Sequence, residues 1–140
     1  VELSRNCALG HYTLAFVHSQ SGEPQTAIAY ADQSRALSPY DPLLFAMLCT
    51  RAIAHMRLGE YQEAAEWGRK AAARPNAHAH IAAISALCEA LAGQTDVARA
   101  VVASLRQGHP GYGIDHLFAA FRFDPPLTKT LRRVAGRIGL

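Results

Sequence analysis

Three glycines, each followed by an alanine five residues on and a proline about a dozen further, constrain this chain more than any single motif. The sets are Gly22/Ala27/Pro39, Gly59/Ala64/Pro75 and Gly93/Ala98/Pro110. Glycines and alanines recur after 37 and 34 residues and prolines after 36 and 35, so three independent markers agree on one period. A fixed period of this length signals a stack of like supersecondary units, none of which can bury its apolar face alone.

Each unit reads as a helical hairpin. Before the glycines, apolar residues fall at helical spacing: Leu9, Tyr12, Leu14, Phe16 and Val17, then Phe45, Leu48, Ala52, Ile53 and Met56, then Ile81, Ile84, Leu87 and Leu91. After each glycine the pattern resumes until the proline ends it. Glycine at a helix end can take the left-handed conformation that reverses the chain, and the alanine beyond it lets the paired helices touch closely. Helices are expected over about 6–20, 24–37, 43–58, 61–73, 77–92 and 95–107, with two more near 113–122 and 127–137. Asp41-Pro42, Asn76 and Asp124-Pro125-Pro126 offer caps or first-turn prolines. Alanine fills 27 of 140 positions against five Phe, five Tyr and one Trp, which favours short, closely packed helices over a β-sandwich. The length suits one domain, 1–140.

The longest stretch free of Asp, Glu, Lys and Arg, Asn6–Gly22, is interrupted by His11, His18 and several polar residues, so no membrane span is expected. The chain begins at Val1 without a basic or continuously apolar leader, and is expected to be part of a longer protein. Cys7, Cys49 and Cys88 are odd in number and widely spaced, which fits a reducing cytoplasm better than a disulfide framework. No phosphate-binding loop, zinc-protease motif or nucleophile elbow occurs, so no catalytic residue and no cofactor is assigned. His11 and His18 stand two turns, about 10 Å, apart on one helix, too far to share a metal. His78 and His80 are expected to point to different faces of a helix start. Cys49 reads as a small buried hydrophobe.

At these positions the chain resembles the tetratricopeptide repeat (TPR) family. With each glycine at the family's fifteenth position, Ala15, Ala52 and Ala86 fall at the small eighth position and Ala27, Ala64 and Ala98 at the small twentieth. The chain departs from the family at position eleven, where His18, His55 and Glu89 replace an aromatic, and at position seven, with Leu14, Arg51 and Ser85. Leu37-Ser38-Pro39-Tyr40-Asp41-Pro42, the segment from Gly59 to Trp67, and Phe121-Arg122-Phe123-Asp124-Pro125 before a basic helix look like one bacterial subgroup. That subgroup is the C-terminal TPR region of class III adenylate/guanylate cyclase-like proteins and of some winged-helix transcription regulators. The resemblance implies an all-α, right-handed superhelical array of antiparallel hairpins (about 6–37, 43–73 and 77–107) closed by a helix pair at about 113–137. It further implies a bacterial, cytoplasmic, non-catalytic module for protein–protein interaction or signalling.

The family's inward positions map to a concave, mainly apolar groove for a protein or peptide: Tyr12, Phe16, Cys49, Ile53, Met56, Leu87, Leu117 and Phe121, with Arg57 and His80 at its rim. So few polar groups argue against a clamp for a peptide's C-terminal carboxylate and for an amphipathic helix or apolar peptide. The chain itself, a missing helix or a second copy in a homodimer could fill the groove instead. Residues 111–140 hold five bases and two acids, whereas 1–110 hold nine of each. In the basic tail, Leu127, Leu131, Val134 and Ile138 recur at helical spacing, so Lys129, Arg132, Arg133 and Arg137 read first as the solvated face of a capping helix. An anionic partner is the lesser reading, and nucleic acid is not the expected one, since aromatics to stack bases are missing there.

Overall fold

The computed structural model describes residues 23–37, 44–74 and 77–140. Among them lie seven helices and no strand: α1 Pro24–Leu37, α2 Leu44–Arg57, α3 Tyr61–Ala72, α4 Ala79–Leu91, α5 Thr95–Gly108, α6 Ile114–Ala120 and α7 Pro125–Ile138. The fold is all-α among the described residues. The helix expected over 6–20, together with Gly22, Asp41 and Asn76, lies outside them. No helix among the described residues is long and apolar enough to cross a membrane.

The glycine turns take the form that the sequence pattern predicts. Gly59 and Gly93 adopt left-handed backbone, with φ of 76° and 86°. At the first, the N–H of Gly59 bonds to the carbonyl of Met56 and that of Glu60 to His55; at the second, Gly93 bonds to Ala90 and Gln94 to Glu89. Both are Schellman closures, which satisfy carbonyls that a helix end leaves open. The next helix starts two residues on in each case. Its first deeply buried residue is the marker alanine, and Ala64 and Ala98, like Ala27, Ala52 and Ala86, are 0% exposed.

Helix α4 holds the arrangement together. Ile81 and the run from Ala83 to Glu89 are all buried, so α4 has almost no solvent face, the expected state of a helix that is apolar nearly all round. It touches α2, α3, α5, α6 and α7. Its neighbours α3, α5 and α7 each bury one stripe and expose a polar one. At Gly68 α3 lies tight against α4, where an added Cβ would be 3.2 Å from the Ser85 backbone. All of this belongs to one hydrophobic core running from Phe45 to Ile138.

Three boundaries differ from expectation. α4 starts at Ala79 rather than near 77, because His78 is extended (φ −98°, ψ 178°) and occupies the cap position. α6 ends at Ala120, where Phe121 leaves the helix for extended backbone (φ −126°, ψ 134°). α7 begins two residues early because Pro125 and Pro126 fit its first turn, where a missing N–H costs nothing. Asp124 caps it, its Oδ1 accepting from the Leu127 N–H at 3.0 Å.

Three glycine-to-alanine substitutions are expected to differ in sign when compared by urea denaturation. Gly93→Ala should cost about 1–2 kcal/mol through left-handed backbone strain alone. Gly68→Ala should cost about 1–3 kcal/mol by pushing α3 off α4. Gly136→Ala, in an exposed helical position with open space around it, should stabilise by about 0.5–1 kcal/mol.

Candidate functional site

Of the ten residues mapped to the groove, Tyr12 and Phe16 lie outside the described residues. Cys49, Ile53, Met56, Leu87, Leu117 and Phe121 are buried, and Ile53, Leu87 and Leu117 are fully so. The expectation that they line an open groove is therefore corrected for this part of the chain: they pack together in its own core. The physical reason is the segment after α5. It brings Tyr112, α6 and then Phe121 onto the helices that the mapping leaves bare. What remains between α2, α4 and the Phe121 ring is a cavity of about 40 Å³ lined by Ala46, Cys49, Thr50, Ile53, His78, Ile81 and Phe121. A water fits there and a peptide side chain does not.

The plug is built on aromatic and imidazole rings. His80 Nδ1 lies 2.8 Å from the Tyr112 hydroxyl, and the His80 ring is 5.9 Å from Phe121. His78 stands edge-on to both Phe45 and His80, with ring centroids 5.4 Å away in each pair, and His116 stacks on Tyr112 at 5.5 Å. The expectation that His78 and His80 point to different faces is thus overturned, because His78 caps the helix and is not within it. Burial lowers the pKa of both imidazoles below 6.5, and the charges of His78 and His116 add to the effect at His80. Burial likewise pushes the Tyr112 phenol up to about 12. No group of three or more His, Cys, Asp or Glu among the described residues is arranged to hold a metal.

Neither buried cysteine is an activated nucleophile. Burial pushes the Cys49 thiol up to about 12 and raises that of Cys88 too, with the nearby Cys49 and Glu89 acting in the same direction. A thiolate needs the opposite surroundings. Cys49 is the small buried hydrophobe that the sequence predicts.

Polar side chains that break the repeat pattern find partners. Arg51 pairs with Asp32 of α1 and lies over the Trp67 ring at 4.1 Å, with Lys70 and Arg35 at 4.3 and 5.0 Å. His55 Nδ1 meets Glu60 Oε1 at 2.9 Å across the first glycine turn. Glu89 is 0% exposed; its Oε1 accepts from Arg69 at 2.8 Å, whereas Oε2 has no partner. Arg57, expected at the groove rim, is half-buried in an open crevice of about 360 Å³ between the end of α2 and the start of α7. There its Nε donates to Asp124 Oδ2 at 3.3 Å. The pairing of Arg57 with Asp124 and the role of Tyr112 leave no periodic trace, so spacing could not have found them. Glutamate in an otherwise apolar stretch is a visible signal at Glu89.

In comparisons with protein-family models, curated proteins and solved structures, nothing matches this chain.

Two outcomes are expected. A base whose folded pKa lies below its unfolded one takes its proton more readily in the unfolded chain, so stability is full above about pH 6.5 and falls as pH drops through that value. Urea midpoints measured from pH 7.5 to 5 should show this loss, and His80→Phe should flatten the slope. Separately, Arg69→Met should cost about 1–3 kcal/mol by stranding the buried Glu89 carboxylate, whereas Glu89→Met should be close to neutral in the same denaturation assay.

Proposed function

We propose that this chain is a non-catalytic interaction or regulatory module of the tetratricopeptide-repeat kind, an α-solenoid of stacked hairpins. It serves as the C-terminal part of a larger bacterial signalling protein such as an adenylate cyclase-like protein. The observation that carries the reading is the twofold recurrence of one device: a left-handed glycine turn with the same two backbone hydrogen bonds, at Gly59 and at Gly93, followed five residues on by a fully buried alanine. Repetition of a whole turn at a 34-residue interval is the mark of repeat architecture, whose members act mainly by presenting surface. The inert state of the two buried thiols supports a role without catalysis. The effector region of a winged-helix regulator would share these features, and would likewise leave DNA contact to another domain.

Reading the gene upstream of Val1 tests the proposal. A nucleotide-cyclase domain with paired metal-binding aspartates is the expected result. A winged helix there would make the chain the control region of a transcription regulator, and a start codon within a few residues would remove the appendage reading. The 140-residue chain itself should neither bind nor turn over ATP or GTP in a calorimetric titration.

A further inference from the structure

With the apolar groove filled by Tyr112 and Phe121, the surface most unlike the rest is the outer face of α7. Between Asp124 and the end of the chain there is no acid, and Lys129, Arg132, Arg133 and Arg137 are all exposed. The exposed faces of α3 and α5 mix both signs, Glu63 and Glu66 with Arg69 and Lys70, Asp96 with Arg99. Among the described residues, Arg132 is the one α7 cation with an acidic partner, Asp115 at 3.1 Å. Lys129, Arg133 and Arg137 make no ion pair among the described residues. Arg99 adds a further cation at the end of the helix, where its guanidinium donates to the Arg137 carbonyl at 3.1 Å.

The three unpaired cations stand at i, i+4 and i+8, one line of charge with a step of about 6 Å. We propose that this line docks an acidic helix of a protein partner, one presenting Glu or Asp at the same four-residue interval. The inference rests on the reading of the chain as an interaction module and names its surface.

Charge and shape together favour this occupant. A helix that lies in a lipid interface inserts its apolar face, but Leu127, Leu131, Val134, Ala135 and Ile138 are all spent on the core. Single-stranded nucleic acid wants exposed aromatics beside the cations, and α7 has none. A rod-like acidic helix repeats its carboxylates at the spacing of the cations, as flanking charges do in paired helices.

The test uses the whole chain and a helical 20-residue probe peptide with Glu at i, i+4 and i+8 on one face. A second peptide has the same composition with its glutamates spread round the helix. Fluorescence anisotropy at low salt should show binding of the first, roughly tenfold weaker for the second or for the K129Q/R133Q/R137Q variant. Added salt should weaken it. All three substitutions are on the surface, and circular dichroism checks that the variant keeps its helices. Equal binding of both peptides, or no loss in the variant, overturns the proposal. So does tighter, salt-steep binding of a 20-base-pair duplex, preference for phosphatidylserine vesicles, or salt-sensitive self-association of the chain alone. Those failures leave the module reading to the upstream gene, which tests it independently.

Discussion

Two helices can approach only as closely as their smallest facing residues allow, and here those residues are buried alanines and, between α3 and α4, Gly68. Ala27, Ala64 and Ala98 each sit in the first turns of a helix, and all are sealed from solvent. Ala52 and Ala86 sit at the matching depth on the preceding helices. A larger side chain at any of these points would hold a helix pair apart and force the core to open. The glycine turns supply the other half of the constraint, since a three-residue link from α2 to α3 or from α4 to α5 closes only if one residue is left-handed.

The same economy explains why α4 can be buried on nearly all sides. Its small residues, Ala83, Ser85 and Ala86, leave room for neighbours, while Ile81, Ile84 and Leu87 fill the spaces between them. Five helices lean on it. Polar groups in such a helix must be met from outside, and Glu89 is reached by the long Arg69 side chain from the surface of α3.

The helices and turns were largely legible in the sequence because they follow from local rules: periodic apolar residues, glycine at helix ends, Asp124 before two prolines. The polar and small residues that interrupt the apolar pattern have structural reasons invisible one at a time. Ser85 faces Gly68, so the pair is a close contact shared between two helices. Arg51, His55 and Glu89 exchange apolar packing for partners on α1, the first turn and α3. Six of the positions mapped to the groove are buried, and spacing does not show this, because what lies against them depends on non-helical geometry at Tyr112 and Phe121. Register arguments assign a face to a residue and are silent on what lies opposite. Cluster formation by His78 and His80 was missed for a related reason: a cap residue does not obey helical angles.

Among the described helices most contacts join consecutive ones, a topology that favours rapid folding but leaves end helices free to fray. The Asp124 carboxylate works against that. One oxygen holds the first turn of α7 and the other meets Arg57, 67 residues earlier. At the far end of α7 the Leu140 carbonyl accepts from the Ile114 N–H at 3.2 Å and from Arg106 at 3.4 Å. Fastened at both ends to distant parts of the chain, the last helix cannot peel away alone. Its loss would uncouple the end of α2 and the start of α6 together, so the described helices should come apart as one cooperative body and not one by one from the C-terminal side.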